Sequence, residues 1–384
     1  MPDDSTQRTR MVHAGRHQEG EAWPLVTPIY QTTAFATDDA ATSTARHRTG
    51  LPSYSRDRFP NARQLEDVVA DLEGAEAGCA TSSGMAAISQ MLLSLLSAGD
   101  RVVLAAGSYC DTGDVLDQVF ARFGVTTSVV DIRDHDAVRA AMVPKPRLVM
   151  IETIANPSMT VPDIDAITAI AHEAGALLCV DNTFATPVFC RPLEHGADVV
   201  IHSATKFLGG HHDLTAGVIV GSREMIDEVR KTAYLIGATP GAMDAWLAVR
   251  GIRSLGPRMA WIGETAAYLA RELAVHPHVE EVRYPALFSG DDADVARRML
   301  PDGCGGMLTI RVTGGDAVAE DVVRRMRLIP YVPSLGGLET SVSFPPRTLR
   351  ERENARSGEG WLRFSIGLES PDDLLADITQ ALNR

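Results

Sequence analysis

Between residues 62 and 221 the chain alternates two hydrophobic rhythms. "ARQLEDVVADLEG" (62–74) and "SSGMAAISQMLLSLLSAGD" (82–100) return apolar residues every three or four positions, the spacing of a helix with one buried face. The first stops at Gly74; the second opens at Ser82 and Ser83 and closes at Gly99. Short apolar runs and helical stretches then take turns: "RVVLAA", a helix from about 112 to 123, "VTTSVVD", "HDAVRAAM", "RLVMIET", "DIDAITAIAHEAG", "ALLCVDN", "DVVIHS" and "AGVIVG". Strands apolar at nearly every position must be covered on both faces. The pattern therefore predicts an α/β fold with a mostly parallel central sheet.

The flanks differ. "TPIYQTTAFATDDAATSTARHRTG" has little periodicity and reads as an arm whose partners lie elsewhere. A long helical stretch from about 241 to 275, interrupted near Gly256 and Pro257, leads into mixed elements: "VEEVRYP", "GMLTIRV", "DAVAEDVVRRM", "WLRFSIG" and the amphipathic "PDDLLADITQALN". The expected organisation is an arm (1–60) contributing to a neighbouring subunit, an α/β unit (61–250) and a smaller α+β C-terminal unit (251–384).

Composition narrows the function. A net charge of −14 spread along 384 residues repels phosphate backbones and anionic lipid, so neither nucleic acid nor a membrane is an expected partner. No apolar run is long enough to span a bilayer, and "MPDDSTQRTRMVHAG" lacks the apolar centre of a signal peptide, which points to the cytoplasm. The five cysteines are scattered without CxxC spacing, and His211–His212 has no third ligand nearby. Reduced thiols and no metal site are expected.

In open α/β sheets ligands sit beyond the carboxyl ends of the strands. The residues expected there are Glu152 and Asn156, then Asp181, Asn182 and Thr183, then Ser203, Thr205 and Lys206 in "HSATKFLGG". "SSGM" (82–85) lies at a helix N-terminus, where unbonded N–H groups and the helix dipole hold phosphate. A lysine, an aspartate and a phosphate cradle together suggest pyridoxal 5'-phosphate: the amine condenses with the aldehyde and the carboxylate keeps the pyridine nitrogen protonated.

"VTPIYQTTAF", "YSR" (54–56), "SSGMAAI", "VDNTF", "HSATKFLGGH", "RGIRSL", "SLGGLET" and "LRFSIGLE", in this order, carry a resemblance. The chain resembles the cysteine and methionine metabolism family of PLP enzymes, which includes cystathionine γ-synthase, cystathionine γ- and β-lyases, methionine γ-lyase and homoserine sulfhydrylases. It stands nearest the methionine γ-lyase branch. The resemblance implies fold type I, the aspartate aminotransferase-like architecture, and a homo-oligomer built as a dimer of dimers. It implies that Lys206 is the Schiff-base lysine and Asp181 the pyridinium partner. Ser83, Gly84, Met85, Ser203 and Thr205 would surround the phosphate, reached also by Tyr54 and Arg56 of a neighbouring subunit. Tyr109 would stack on the cofactor ring and act in proton transfer; Asn156, Ser334 and Arg363 would hold cofactor or substrate carboxylate.

Some family positions are altered. Phe59 and Asn61 stand in "SRDRFPN", "YCDT" (109–112) replaces Tyr-Gly-Gly-Thr, and Ser53 replaces an acidic residue. Asp114 stands where cystathionine enzymes often have an arginine, and "FPPRTLR" (344–350) has lost two histidines. The expected activity is γ-elimination or γ-replacement on a methionine- or homoserine-derived amino acid, through a vinylglycine-type intermediate. The alternatives are a cationic leaving group, as in S-adenosylmethionine or canavanine, or cystathionine synthase or lyase activity. Asp111 and Asp114 either select a cationic substrate or cap the helix expected from Thr112. A nicotinamide-dependent dehydrogenase would need a GxGxxG that this chain lacks. A non-catalytic binding protein would not need Lys206, Asp181, Tyr109 and Arg363 together.

Overall fold

The computed structural model describes residues 5–16, 23–49, 51–345 and 359–383. Residues 1–4 of the expected arm and 346–350 of the altered "FPPRTLR" stretch lie outside them. Three short helices, α1 (Gln7–Val12), α2 (Ala40–Arg48) and α3 (Ser55–Arg58), precede α4 (Pro60–Glu73), which ends on Gly74 in the left-handed conformation. Next come β1 (Ala77–Thr81), α5 (Gly84–Leu95), β2 (Arg101–Ala105), α6 (Cys110–Gln118), β3 (Thr126–Val130) and α7 (His135–Ala141). They are followed by β4 (Leu148–Glu152), α8 (Ile164–Glu173), β5 (Leu177–Asp181), α9 (Thr186–Phe189), β6 (Val199–Ser203) and β7 (Gly217–Gly221).

These strands form one sheet in the order β1-β7-β6-β5-β4-β2-β3, in which only β7 runs against its neighbours. Successive side chains point to opposite faces, and both faces are buried except on the edge strand β3. Val149 and Ile151 of β4 and Leu178 and Val180 of β5 enter one core, while Met150, Cys179, Val199 and Ile201 enter the other. That is why the strands read as unbroken apolar runs.

After β7 come α10 (Arg223–Ile236), α11 (Ala242–Ile252), α12 (Leu255–Ala274), β8 (Val279–Arg283), α13 (Gly290–Met299), β9 (Met307–Val312) and α14 (Gly315–Arg325). β10 (Ser341–Ser343), β11 (Trp361–Ser365) and α15 (Pro371–Leu382) complete the described residues. β8 to β11 make a second, antiparallel sheet in the order β10-β11-β9-β8. The first sheet ends at Gly221 and the second begins at Val279. Among the described residues no helix is long and apolar enough to cross a membrane.

Several elements differ from their sequence pattern. The helical stretch after 241 breaks at Arg253–Ser254, not at Gly256–Pro257. Pro257 instead sits in the first turn of α12, where its missing N–H has no intrahelical partner to lose. α5 is capped by Ser83 alone, whose Oγ accepts from the Ala86 N–H at 3.0 Å. α6 starts two residues before Thr112 and gives way to a 3₁₀ turn at Phe120–Phe123.

α11 and α12 reach the segment after Lys206 by close approach. Arg258, 4% exposed, donates to the carbonyls of Phe207 and Gly251, both at 2.8 Å. These acceptors are neutral, and burial lowers the guanidinium's pKa to about 10. A Cβ on Gly251 would lie 2.1 Å from the Gly209 carbonyl oxygen, whereas one on Gly113 would find nothing nearer than 3.8 Å. Gly251→Ala should therefore lower stability by about 1–3 kcal/mol through overpacking. Gly113→Ala, also helical, should raise it by about 0.5–1 kcal/mol. Opposite shifts of the urea midpoint check the pair.

Candidate active site

The carboxyl end of the large sheet gathers the polar strand-end residues. β4 and β5 pair in register so that Glu152 lies beside Asp181. Asp181 Oδ1 accepts the Thr183 N–H at 2.9 Å, and the Thr183 hydroxyl in turn accepts from the Ser203 N–H at 2.9 Å. Glu152 uses both oxygens: Oε1 accepts from the Tyr109 N–H at 2.5 Å and Oε2 from the Asn156 N–H at 3.0 Å. Burial raises the pKa of both carboxyls. Glu152 reaches about 8, with the Asp181 charge adding to its burial; Asp181 is eased by the Thr183 hydrogen bonds and by His202.

Behind this edge lies a polar core. His202 and Glu73, both 0% exposed, meet at 2.6 Å, and Asn182 Nδ2 donates to the same Glu73 oxygen at 2.7 Å and to the Cys190 carbonyl at 2.8 Å. The carboxylate thereby ties the ends of β5 and β6 to α4.

Lys206 lies three residues beyond the end of β6, in the turn that Arg258 clamps. Its Nζ donates to Ser334 Oγ at 3.0 Å and faces no carboxylate among the described residues. Burial lowers the amine's pKa, and the positive charge of Arg363 lowers it further. The loop bearing Ser334 presses on this segment. A Cβ on Gly336, where φ is +82°, would lie 2.7 Å from the Phe207 nitrogen and 3.1 Å from the Lys206 Cα, so this position requires glycine.

Gly84 abuts the end of β6, its absent Cβ falling 2.7 Å from the Ser203 Cβ. The Ser203 hydroxyl thus stands beside the first turn of α5, where the Gly84 and Met85 N–H groups have no intrahelical acceptor. Among the described residues Ser203 Oγ makes no hydrogen bond. Ser83 spends its hydroxyl as the helix cap, and Thr205 spends its own on Ala216, accepting from N–H at 3.1 Å and donating to the carbonyl at 3.2 Å. The cradle is therefore one free hydroxyl and a helix start.

Arg363 on β11 is 6% exposed and makes no ion pair among the described residues. Nη1 donates to Asn156 Oδ1 and Nη2 to Ser343 Oγ, each at 3.0 Å, and burial lowers its pKa to about 10. A buried cation held by neutral acceptors keeps its charge uncompensated.

The structure separates the two aspartates of "YCDTGD". The Tyr109 hydroxyl donates to Asp111 Oδ2 at 2.6 Å, whereas Asp114 accepts from Gln118 at 3.3 Å along α6. Tyr109 occupies the N-cap position without a side-chain cap hydrogen bond, and Asp111 lies in the first turn of α6. Tyr54 and Arg56 are exposed. The Arg56 guanidinium lies 4.5 Å from the Tyr234 ring centroid and 5.7 Å from that of Tyr54.

Arg258, Ser343 and the Glu73–His202 pair escaped the sequence reading. Arg258 left a signal, because it falls on the apolar stripe of α12 with Leu255, Met259 and Ile262. The other partnerships join distant residues and leave none.

Comparison with known proteins agrees with this geometry. L-methionine γ-lyase of Pseudomonas putida is 40% identical, with 97% of this chain and 96% of the relative covered. Cystathionine β-lyase of Lactococcus lactis subsp. cremoris strain MG1363 is 36% identical over 98% and 99%. The crystal structure of metB from Corynebacterium glutamicum superposes with a TM-score of 0.93 at 36% identity, covering 100% of this chain and 99% of that one. Cystathionine γ-synthase of Xanthomonas oryzae pv. oryzae, in complex with aminoacrylate and cysteine, gives 0.92 at 31% identity, covering 98% of each chain. The family model described as Cys/Met metabolism PLP-dependent enzyme matches residues 8–383. With lysine and paired carboxyls at the carboxyl end of the large sheet and a buried arginine reaching them from the second, the chain has fold type I and belongs to the Cys/Met metabolism PLP-dependent enzyme family.

Proposed function

We propose that this PLP-dependent enzyme catalyses γ-elimination or γ-replacement on a methionine- or homoserine-derived amino acid, with Lys206 as its cofactor lysine and proton carrier. The observation that carries the reading is the Lys206 amine, desolvated beside the Arg363 charge and held on Ser334 Oγ. Bound PLP supplies an electron sink for charge developing at the substrate Cα. Asp181 holds the pyridine nitrogen. The Gly84 and Met85 N–H groups and Ser203 take the phosphate, with Thr205 and Ser83 shaping the cradle. Tyr109 lies against the ring. Arg363, aimed by Asn156 and Ser343, grips the substrate carboxylate, and Ser334 holds the Lys206 amine in line with Cα. The neutral amine would take the Cα proton and, once relieved of it, a Cβ proton, so that the γ group leaves with its bonding electrons and a vinylglycine-type unsaturation remains.

A second reading concerns the leaving group. The Asp111 carboxylate lies on the Tyr109 hydroxyl, and Asp114 stands where an arginine would suit a distal carboxylate. A negative distal wall disfavours cystathionine and favours a cationic group such as a sulfonium or a guanidinium-like nitrogen. The test is a panel of methionine, homoserine esters, cystathionine, canavanine and S-adenosylmethionine, with ammonia, 2-oxoacid and new amino acids read by mass spectrometry. Turnover of none would overturn the reading. The assembly is proposed as a dimer of dimers, in which exposed Tyr54 and Arg56 reach a neighbouring subunit's phosphate.

Three predictions follow from these roles. In cofactor-free protein the Lys206 amine should react with an acylating reagent with a pH inflection below that of an ordinary lysine. Because Arg363 disfavours the protonated amine, Arg363→Met should move that inflection upward; Lys206→Ala should abolish turnover and borohydride-trapped cofactor. Asp111→Asn should raise KM about tenfold for a cationic substrate while leaving neutral methionine nearly unchanged, as steady-state kinetics will show. Mixing Arg56→Ala with Lys206→Ala subunits should restore activity under proven subunit exchange, since hybrids regain an intact shared site.

A further inference from the structure

Glu152 stands where three separate parts of the site meet. Its Oε1 receives the Tyr109 N–H, from the turn between β2 and α6. Its Oε2 receives the Asn156 N–H, four residues further along its own loop, and Asn156 Oδ1 receives Arg363 from the second sheet, 207 positions away. A single carboxyl group thus spans the backbone under Tyr109 and the residue that aims Arg363.

We propose that Glu152 is a positioning residue that holds Tyr109 and the Asn156–Arg363 pair in one frame. The tyrosine assigned to the cofactor face and the arginine assigned to the substrate carboxylate then keep a fixed relation. This rests on the roles given to Tyr109 and Arg363 above. The work of Glu152 is hydrogen-bond acceptance by two oxygens. No basic side chain is bonded to it among the described residues, and burial raises its pKa to about 8, with the charge of Asp181 adding to the rise.

The geometry makes two replacements informative. Glutamine keeps size but turns one acceptor oxygen into an NH₂ that meets a backbone N–H donor. Aspartate keeps both oxygens, yet one methylene fewer withdraws them by about 1.5 Å, too far to serve both loops. Leaving a backbone donor without its acceptor loosens whichever loop loses it.

The test uses the holoenzyme and an α-methyl amino acid, which binds but has no α-proton to lose, with binding read from cofactor absorbance. Glu152→Gln and Glu152→Asp should each weaken that binding about tenfold and raise KM more than they lower kcat, with the cofactor retained on dialysis. In an Asn156→Ala background, adding Glu152→Gln should weaken binding by less than about twofold, because its effect on the carboxylate anchor passes through Asn156. If either single variant folds and binds within about twofold of wild type, or if the Glu152 and Asn156 penalties multiply, the inference is overturned. Should one variant fail to fold, the other decides. Arg363→Met separates the two readings. If it leaves α-methyl amino acid binding intact, the carboxylate-anchor role itself fails; if it weakens binding while both Glu152 variants do not, only the positioning role falls.

Discussion

One edge of the seven-stranded sheet holds four ionisable groups away from water, and much of the chain is arranged around that constraint. Lys206 and Arg363 are desolvated cations without carboxylate partners among the described residues; Asp181 and Glu152 are desolvated acids side by side on β5 and β4. Unsupported, such groups would cost several kcal/mol each or change protonation. The protein supports them with neutral dipoles: Thr183 for Asp181, two backbone N–H groups for Glu152, Asn156 and Ser343 for Arg363, Ser334 for Lys206. Opposite charges are not used to cancel one another, so each remains to meet an incoming group.

The supports come from every layer of the fold. α12 sends Arg258 into the turn after Lys206, α4 sends Glu73 under the ends of β5 and β6, and the second sheet brings Arg363, Ser343 and the Ser334 loop. The continuous apolar cores on both sides of the sheet keep these parts in register. The site is an edge that two sheets and several helices complete together.

Much of this was legible in the sequence, for reasons that can be named. Apolar runs of five residues ending in a polar one mark the carboxyl ends of β4, β5 and β6, so Glu152, Asp181, Ser203 and Lys206 were found by position. β1 was missed because "AGCAT" is short and of small residues, and owes its strand to pairing with β7. α10 went unread although Ile226, Val229 and Ala233 lie at helical spacing between a serine cap and Gly237. Glu152 was expected at the ligand edge, and what its position did not disclose is that it accepts two backbone amides. What the sequence hid is pairing across distance: 129 positions separate Glu73 from His202, and 207 separate Asn156 from Arg363. No local pattern encodes such pairs, because topology alone brings them together.

The charge of Arg363 acts on Lys206 without a hydrogen bond between them, adding to the effect of burial. While Arg363 is bonded only to neutral groups, its field helps strip the proton from the amine, leaving a nucleophile. An anion seated on the guanidinium cancels that field, and the same nitrogen becomes a stronger base. A carboxylate arriving at one end of the site would thus raise the basicity of the lysine at the other.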